Sequence, residues 1–249
     1  FDEYIYLKDY CKAEEILKKM NRYTYGDIKY YSDSAEYFTA KSEYIKARNI
    51  LLDGIKEFPE SSLGLQLASL FLLQNDYSNA EIIYDEILDE FPDSDYLYKS
   101  ITNEYSNNDN FDKANKVYEK ALEKFPEDPE LLNNYSYLLA RNSKNLEKAL
   151  EYVDKALKDQ VESISFLDTK AWVLYKMGKY AEAEAIMDGI FSDENAFHHS
   201  SSEELFEHFK EIKIAVNKAD VLNGISLNKT VIILSEILTK SNYILQTGL

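Results

Sequence analysis

The chain has 249 residues, of which 45% are hydrophobic, and a formal net charge of −17 at pH 7. The apolar content excludes a disordered polymer, and the excess of carboxylates argues against a nucleic-acid binder, which needs a concentrated positive surface. With only 7 glycines and 4 prolines, the chain has little material for the tight turns of β-hairpins, which favours helices.

Neither a membrane-spanning run nor a disulfide pattern is present. No apolar run approaches the roughly 18 residues that a membrane helix needs, so we expect no membrane insertion. Cys11 is the single cysteine, and we expect it to pack as a small apolar side chain. The sequence begins at Phe1 without an initiator Met or a signal-peptide pattern, which indicates a removed upstream segment or a fragment.

An alanine recurs along the chain with a nearly constant period. Each copy follows an aromatic residue or a leucine by three positions and precedes a larger apolar residue by four, as in Tyr44, Ala47 and Leu51. The six alanines are Ala13, Ala47, Ala80, Ala114, Ala149 and Ala183. Their separations are 34, 33, 34, 35 and 34 residues. A period of this length predicts a stack of structural repeats.

Prolines and apolar spacing divide each period into two helices. Pro59, Pro92 and Pro126 each follow one of the alanines by 12 residues, and a proline there ends a helix. A second apolar helical pattern, such as that over residues 65–71, lies between each proline and the next alanine. The alanine lets the two helices approach closely, which a larger side chain would prevent. Each repeat is therefore predicted to be an antiparallel helix pair.

This pattern resembles the tetratricopeptide repeat family, whose first helix has Trp, Leu, Gly or Ala, and Tyr positions and whose second has aromatic, Ala and Pro positions. The match covers residues 4–195. The resemblance implies an all-α fold, a right-handed α-α superhelix of six or seven helix pairs. We expect a partial N-terminal repeat over 1–27, five repeats over 28–197, and a degenerate repeat with a C-terminal capping helix over 198–249. The five repeats begin at residues 28, 61, 95, 129 and 164.

The later repeats depart from the family pattern. The turn of the repeat that begins at residue 129 has one extra residue, and Val161 and Asn195 stand where prolines are expected. The segment after residue 198 keeps one apolar helical face but only a blurred second helix. The terminal segment 226–246 has a broad apolar face, which predicts a helix that caps the stack. The alternative is a surface for a partner or for a second copy of the chain, which would make a homodimer.

The sequence offers no set of residues for catalysis, a cofactor or a metal. The side chains of the adjacent His198 and His199 point in different directions and have no further ligand at metal-binding spacing. Gly178 lies in a turn between two helices rather than in a phosphate-binding loop. The carboxylates are spread along helix faces, as is typical of a solvated surface. We predict no enzymatic activity, no cofactor and no metal site.

The family resemblance also implies where a partner would bind. In such repeats the first helices line a concave groove, and here they bring amides, aromatic rings and cations to it, which suits an extended peptide or protein segment. The predicted groove residues are Tyr96, Lys99, Asn103, Asn107, Asn133, Asn134, Tyr137, Arg141, Asp168, Trp172, Tyr175 and Lys176. The alternative is that Tyr96, Tyr137 and Trp172 pack against neighbouring helices.

A more specific possibility is the clamp by which some family members hold the acidic C-terminus of chaperones. Lys99, Asn103 and Asn134 match its first positions, but Ser165 and Thr169 stand where its last two cations are expected. Without these cations a terminal carboxylate would lack its charge-assisted hydrogen bonds. We therefore expect no chaperone-tail clamp.

Together these features predict a non-enzymatic adaptor or scaffold that binds proteins through the groove. The alternatives are a self-associating structural array and an interaction module of a larger chain. The negative net charge favours basic or neutral partners. Residues 131–157 and 166–187 also resemble repeats of bacterial cell-envelope lipoproteins, which favours a bacterial, envelope-tethered location outside the cytoplasm over a cytoplasmic one.

Overall fold

The computed structural model describes residues 1–23, 27–158, 160–192 and 203–222. These ranges contain thirteen α-helices and no strand, so the prediction of an all-α fold is confirmed. The helices are α1 Asp2–Tyr6, α2 Tyr10–Tyr23, α3 Ile28–Ala40, α4 Tyr44–Glu57, α5 Ser61–Leu73, α6 Tyr77–Glu90, α7 Asp95–Asn107, α8 Phe111–Lys124, α9 Pro129–Arg141, α10 Leu146–Ala156, α11 Ile164–Lys176, α12 Tyr180–Ser192 and α13 Glu203–Leu222. None of these helices is long and apolar enough to cross a membrane.

Two predicted features lie outside the described residues. One is the capping helix of segment 226–246, together with the homodimer or partner surface that was its alternative. The other is the loop that contains His198 and His199. The assignment of 1–27 and 198–249 as incomplete repeats stays a prediction.

The chain forms two compact units, an N-terminal unit Phe1–Val117 and a C-terminal unit Tyr118–Leu249. Consecutive helices pack as pairs: α3 with α4 and α5 with α6 in the N-terminal unit, α9 with α10 and α11 with α12 in the C-terminal unit. The hydroxyl of Tyr31, near the start of α3, donates to the carboxylate of Glu57, the last residue of α4, at 2.6 Å. The two helices of this pair therefore run antiparallel.

Small residues allow the paired helices to approach closely. All six periodic alanines are fully buried, with 0% of their surface exposed. In the α9–α10 pair the Ser136 hydroxyl donates to the carbonyl oxygen of Ala149 at 2.7 Å. A side chain on one helix can reach the backbone of the next only where that backbone is not covered by a larger residue. The alanine period thus fixes the spacing within the pairs.

The turns inside the helix pairs repeat a left-handed backbone conformation. The residues with positive φ are Lys8 (57°), Ser42 (61°), Asn75 (59°), Asp109 (53°), Ser143 (51°) and Gly178 (78°). Each lies in the short connection between two helices of a pair, and Gly178 is the one for which this φ has no steric cost. The turn between α9 and α10 contains a second such residue, Asn145, with φ 43°. This second residue lies in the turn where the sequence has its extra residue.

Polar caps and prolines set the helix ends. The side chains of Asp27, Asp76, Ser94 and Asp128 accept hydrogen bonds from backbone N–H groups in the first turns of α3, α6, α7 and α9, which satisfies donors that the helix leaves unpaired. Helices α4, α6 and α8 each end two residues before a proline. The prolines therefore end these helices, as the sequence predicts.

The prediction for Cys11 is wrong, because its side chain is exposed. It lies on α2 two residues before the buried Ala13. Positions two apart on a helix face different directions, so the packing of Ala13 does not extend to the thiol.

Replacing Gly54 with alanine should destabilise the protein, although alanine is the better helix former by about 1 kcal/mol. A Cβ on Gly54 would lie 2.8 Å from Cβ and Cγ of Tyr31 and 2.9 Å from Leu63 Cδ1. The Tyr31 Cβ is fixed by its own backbone, so we expect a net loss of about 1–3 kcal/mol in the free energy of unfolding. Urea denaturation followed by far-UV circular dichroism measures it.

The matched control is Gly189→Ala on α12, where an added Cβ has no atom within 4 Å. This change should stabilise the helix by about 0.5–1 kcal/mol. Shifts of the same sign for both glycines would contradict the close approach of α3 and α4.

Candidate partner-binding site

The predicted groove residues fall in both units, on helices α7, α9 and α11. Four lie on α7 of the N-terminal unit: Tyr96, Lys99, Asn103 and Asn107. Eight lie on α9 and α11 of the C-terminal unit: Asn133, Asn134, Tyr137, Arg141, Asp168, Trp172, Tyr175 and Lys176. Each unit therefore has its own set.

The α7 set is mostly accessible. The side chain of Tyr96 is 66% exposed, and Asn103 and Asn107 are also exposed. Lys99 is only half-buried, but its ammonium lies 3.1 Å from the Asp95 carboxylate one turn earlier. This hydrogen bond lowers the pKa of the Asp95 carboxyl. A partner can reach the tyrosine and the amides, whereas the charge of Lys99 is already paired with Asp95 on the same helix.

Part of the C-terminal set lines a cavity of about 190 Å³ between α9, α11 and α13. Its lining is polar apart from one leucine and consists of Asn133, Asn134, Tyr137, Ser165, Asp168, Thr169, Glu204 and Leu205. Four predicted groove residues thus share one cavity. The other four, Arg141, Trp172, Tyr175 and Lys176, do not line it.

Helix α13 presents a polar stripe to α9 and α11. The Tyr137 hydroxyl donates to the carboxylate of Glu204. The Nδ1 atom of His208 lies 2.9 and 3.0 Å from the two carboxylate oxygens of Asp168. Because residues four apart face the same side of a helix, Glu204 and His208 approach the predicted groove together.

The hydrogen bond between Tyr137 and Glu204 joins a half-buried residue to an exposed one. Burial raises the pKa of the Tyr137 hydroxyl, and the Glu204 carboxylate raises it further, whereas Arg141 acts in the opposite direction. The hydroxyl therefore stays protonated at neutral pH and remains a donor to Glu204. Arg141 itself is exposed at the end of α9.

Trp172 is buried, with 7% of its surface exposed. Its ring stacks on His208 at a centroid distance of 4.0 Å and on Tyr175 at 4.9 Å, and the Lys176 ammonium lies 4.4 Å from its centroid. The indole Nε1 is buried without a hydrogen-bond partner. The ring thus packs against a neighbouring helix, the alternative that the sequence left open. A direct contact of this ring with a partner stays a prediction.

Glu204 and His208 are the site residues that the sequence analysis missed. The apolar face of α13, with Leu205, Phe209 and Ile212, is buried against α12 and is visible in the sequence as a helical spacing. The polar pair lies one position before Leu205 and Phe209. The available signal was a polar residue directly before an apolar one on two successive turns of the helix, Glu204 before Leu205 and His208 before Phe209. Many solvated helix faces have the same pattern, so this signal does not distinguish a binding site.

The described residues provide no metal-binding cluster, that is, no group of three or more His, Cys, Asp or Glu side chains that could hold an ion together. The cavity contains hydroxyls, amides and two carboxylates. Such groups recognise a ligand by hydrogen bonds and charge. The arrangement therefore suits binding.

Replacing Trp172 with alanine should lower the free energy of unfolding by about 3–5 kcal/mol, because a buried indole is removed and its stacking partners His208 and Tyr175 lose their contact. Urea denaturation followed by far-UV circular dichroism measures the loss. The exposed Tyr96 provides the matched control, and Tyr96→Ala should change stability by no more than about 0.5 kcal/mol. Equal effects of the two changes would contradict the burial of Trp172.

Comparisons with known proteins agree with the helix-pair architecture. The family model described as a tetratricopeptide repeat matches residues 63–94, and that of the anaphase-promoting complex, cyclosome, subunit 3, matches residues 107–190. No curated protein matches this sequence.

Several solved structures share the fold at low sequence identity. The C-terminal part of a TPR repeat-containing protein from Cytophaga hutchinsonii has a TM-score of 0.65 and 15% identity, over 96% of this chain and 93% of that one. A tetratricopeptide repeat protein from Parabacteroides merdae has a TM-score of 0.59 and 18% identity, over 85% and 79%. The Cut9–Hcn1 hetero-tetramer of the APC/C has a TM-score of 0.53 and 14% identity, over 95% and 47%.

The family-model matches and these structures agree with the repeated alanines, the antiparallel helix pairs and the periodic turns. Residues 63–94 are similar to the tetratricopeptide repeat family model, and the chain shares the fold of solved tetratricopeptide repeat proteins.

Proposed function

We propose that this chain is a non-enzymatic adaptor whose C-terminal unit binds a segment of a partner protein on the face formed by α9, α11 and α13. The observation that carries the proposal is the polar cavity of about 190 Å³ on this face. Proteins of this family generally mediate protein–protein interactions. Cut9, which has a similar fold, is found in a hetero-tetramer with Hcn1.

The side chains on this face suit an extended polypeptide. The Asn134 amide has both donors and acceptors, which can pair with the N–H and C=O groups of a backbone that has no internal hydrogen bonds. The half-buried ring of Tyr137 beside it supplies apolar contact area at a small entropic cost. A polar cavity next to such a ring can then receive one side chain of the segment, which provides specificity.

The α7 face of the N-terminal unit is proposed as a separate contact. It presents the exposed Tyr96 ring with the exposed amides of Asn103 and Asn107. Tyrosine is enriched at the energetic centres of interfaces because one end of its ring is apolar and the other can hydrogen-bond. A partner that extends over this face would gain affinity from the ring and orientation from the amides.

The charge of the chain favours a basic or neutral partner. At a net charge of −17, the field of the protein attracts positive segments and increases their association rate. The same field opposes nucleic acid, whose phosphates would be repelled. The envelope-tethered location outside the cytoplasm stays a prediction, as does the role of this chain as a module of a larger protein.

The double variant Asn134→Ala/Ser165→Ala should lose partner proteins that the wild-type chain captures from an extract of the source organism. Both residues line the cavity, and a minority of interface residues, clustered near the centre, contribute most of the binding energy. We expect at least a fivefold smaller amount of captured partner, or about 1 kcal/mol. Quantitative mass spectrometry of the captured proteins measures this amount.

The matched control is Glu147→Ala/Glu151→Ala, which removes two exposed side chains of α10 outside the cavity. It should retain the partners. Equal capture by both variants would contradict binding on this face. If the captured protein is the chain itself, and light scattering shows a mass that grows with concentration, the self-associating array replaces the adaptor.

A further inference from the structure

We propose that the cavity between α9, α11 and α13 receives a cationic side chain, arginine or lysine, from the partner segment. This inference rests on the proposed function and specifies the chemistry of its ligand. Four observations support it: the acceptors of the cavity, an unpaired buried carbonyl, two carboxylates, and the absence of cations from its lining.

The buried amide of Asn133 points to a missing donor. Its side chain is 6% exposed, and its Oδ1 is buried without a hydrogen-bond partner, whereas its Nδ2 donates to Asn134 Oδ1 at 3.1 Å. Buried polar atoms in folded proteins nearly always have a partner, and Asn133 is one of the residues that line the cavity, so we infer that a ligand bound there supplies the missing partner. Because the unpaired atom is an oxygen, that ligand must donate.

Two of the three hydroxyl groups that line the cavity already donate their protons. Thr169 Oγ1 donates to the carbonyl oxygen of Ser165 at 3.0 Å, and the Tyr137 hydroxyl donates to Glu204. Each of these oxygens keeps acceptor capacity but has no second proton to offer. An anion or a carbonyl oxygen would therefore depend on Ser165 and the side-chain amides for donors, whereas an ammonium or guanidinium group has only donors and can pair with the acceptors of the lining.

Two carboxylates give the cavity its charge. Asp168 on α11 and Glu204 on α13 both line it, and each holds one neighbour, His208 and Tyr137 respectively. A carboxylate has about four acceptor positions, so one neighbour does not saturate it. Asp168 is half-buried and Glu204 is exposed, and at both a hydrogen bond between charged groups is stronger than one between neutral groups.

Within the part of the chain that the structure describes, the cavity is lined by eight residues, none of them lysine or arginine. Arg141 acts against the rise in the pKa of Tyr137, but it does not line the cavity. A positive ligand would thus complete the charge balance, whereas the acidic tail of a chaperone clamp would meet two carboxylates.

The volume is also sufficient for such a ligand. One water molecule takes a share of about 30 Å³ in the liquid, and the cavity has about 190 Å³. A guanidinium or ammonium head with part of its aliphatic stem fits this space. The half-buried Tyr137 ring in the wall can contact the stem or the flat face of a guanidinium.

The test is an NMR titration of the full chain with N-acetyl-arginine methylamide, and separately with the lysine analogue. The neutral isostere N-acetyl-citrulline methylamide serves as the control ligand. We expect the cationic probes to shift the side-chain amide resonances of Asn133 and the backbone resonance of Asp168 in a saturable way. The citrulline probe should leave them unchanged, since it lacks the charge.

Glu204→Gln removes one charge and keeps an acceptor for Tyr137, so it should lower the affinity for the arginine probe by about three- to tenfold. Glu207→Gln on the same helix removes an equal charge from an exposed residue outside the lining and should leave the affinity unchanged. Ser165→Asp adds a carboxylate at an exposed position of the lining and should raise the affinity for the arginine probe by about threefold. A gain in affinity cannot arise from misfolding.

Equal shifts with arginine and citrulline, or no saturable shift at Asn133 with either cation, would overturn the cation site. An arginine response without a lysine response would identify arginine as the ligand. A failure of the adaptor function would give a different result. The variant Asn134→Ala/Ser165→Ala would then capture the same proteins as the wild type, while the arginine probe would still shift the resonances of Asn133.

Discussion

Close contact at a small buried residue is the constraint on which the structure of each repeat depends. The six alanines are fully buried, and each lies on the second helix of a predicted pair. In the α9–α10 pair the Ser136 hydroxyl bonds directly to the Ala149 carbonyl. Where the approach is closer still, at Gly54, even a Cβ would collide with Tyr31. Interhelical distances depend on the side chains at the contact, so these residues determine where the first helices place their outer faces.

That geometry brings together the side chains of the candidate site. Asn133 and Tyr137 on α9, Asp168 on α11 and Glu204 on α13 are separated by up to 71 positions but line one cavity. The fold brings these side chains together, and the chemistry of the lining decides what the cavity can bind. Here the lining has acceptors and carboxylates without a cation, which is the opposite polarity to a clamp for acidic tails. A polar face of this kind selects by charge and hydrogen bonding more than by apolar area.

The repeated features of the fold could be predicted from the sequence, because each depends on local chemistry. The alanine period, the prolines that end α4, α6 and α8, and the extra residue in the α9–α10 turn all act within one helix pair. The candidate site was only partly predictable. Its α9 and α11 residues follow from positions in the repeat, but Glu204 and His208 reach it from α13, where the sequence keeps only one apolar helical face of the family pattern. The burial of Trp172 depends on that same long-range packing, which no local period encodes.

The most direct test of this account is the stability of Ala149→Leu measured against Ala185→Leu. Ala149 is buried at the contact of α9 with α10, whereas Ala185 is exposed on α12. Urea denaturation followed by far-UV circular dichroism should show that Ala149→Leu loses about 1–3 kcal/mol, because the larger side chain overpacks the pair. Ala185→Leu should change the free energy of unfolding by no more than about 0.5 kcal/mol. Equal stabilities of the two variants would contradict the claim that a small residue at this contact holds the helix pair together.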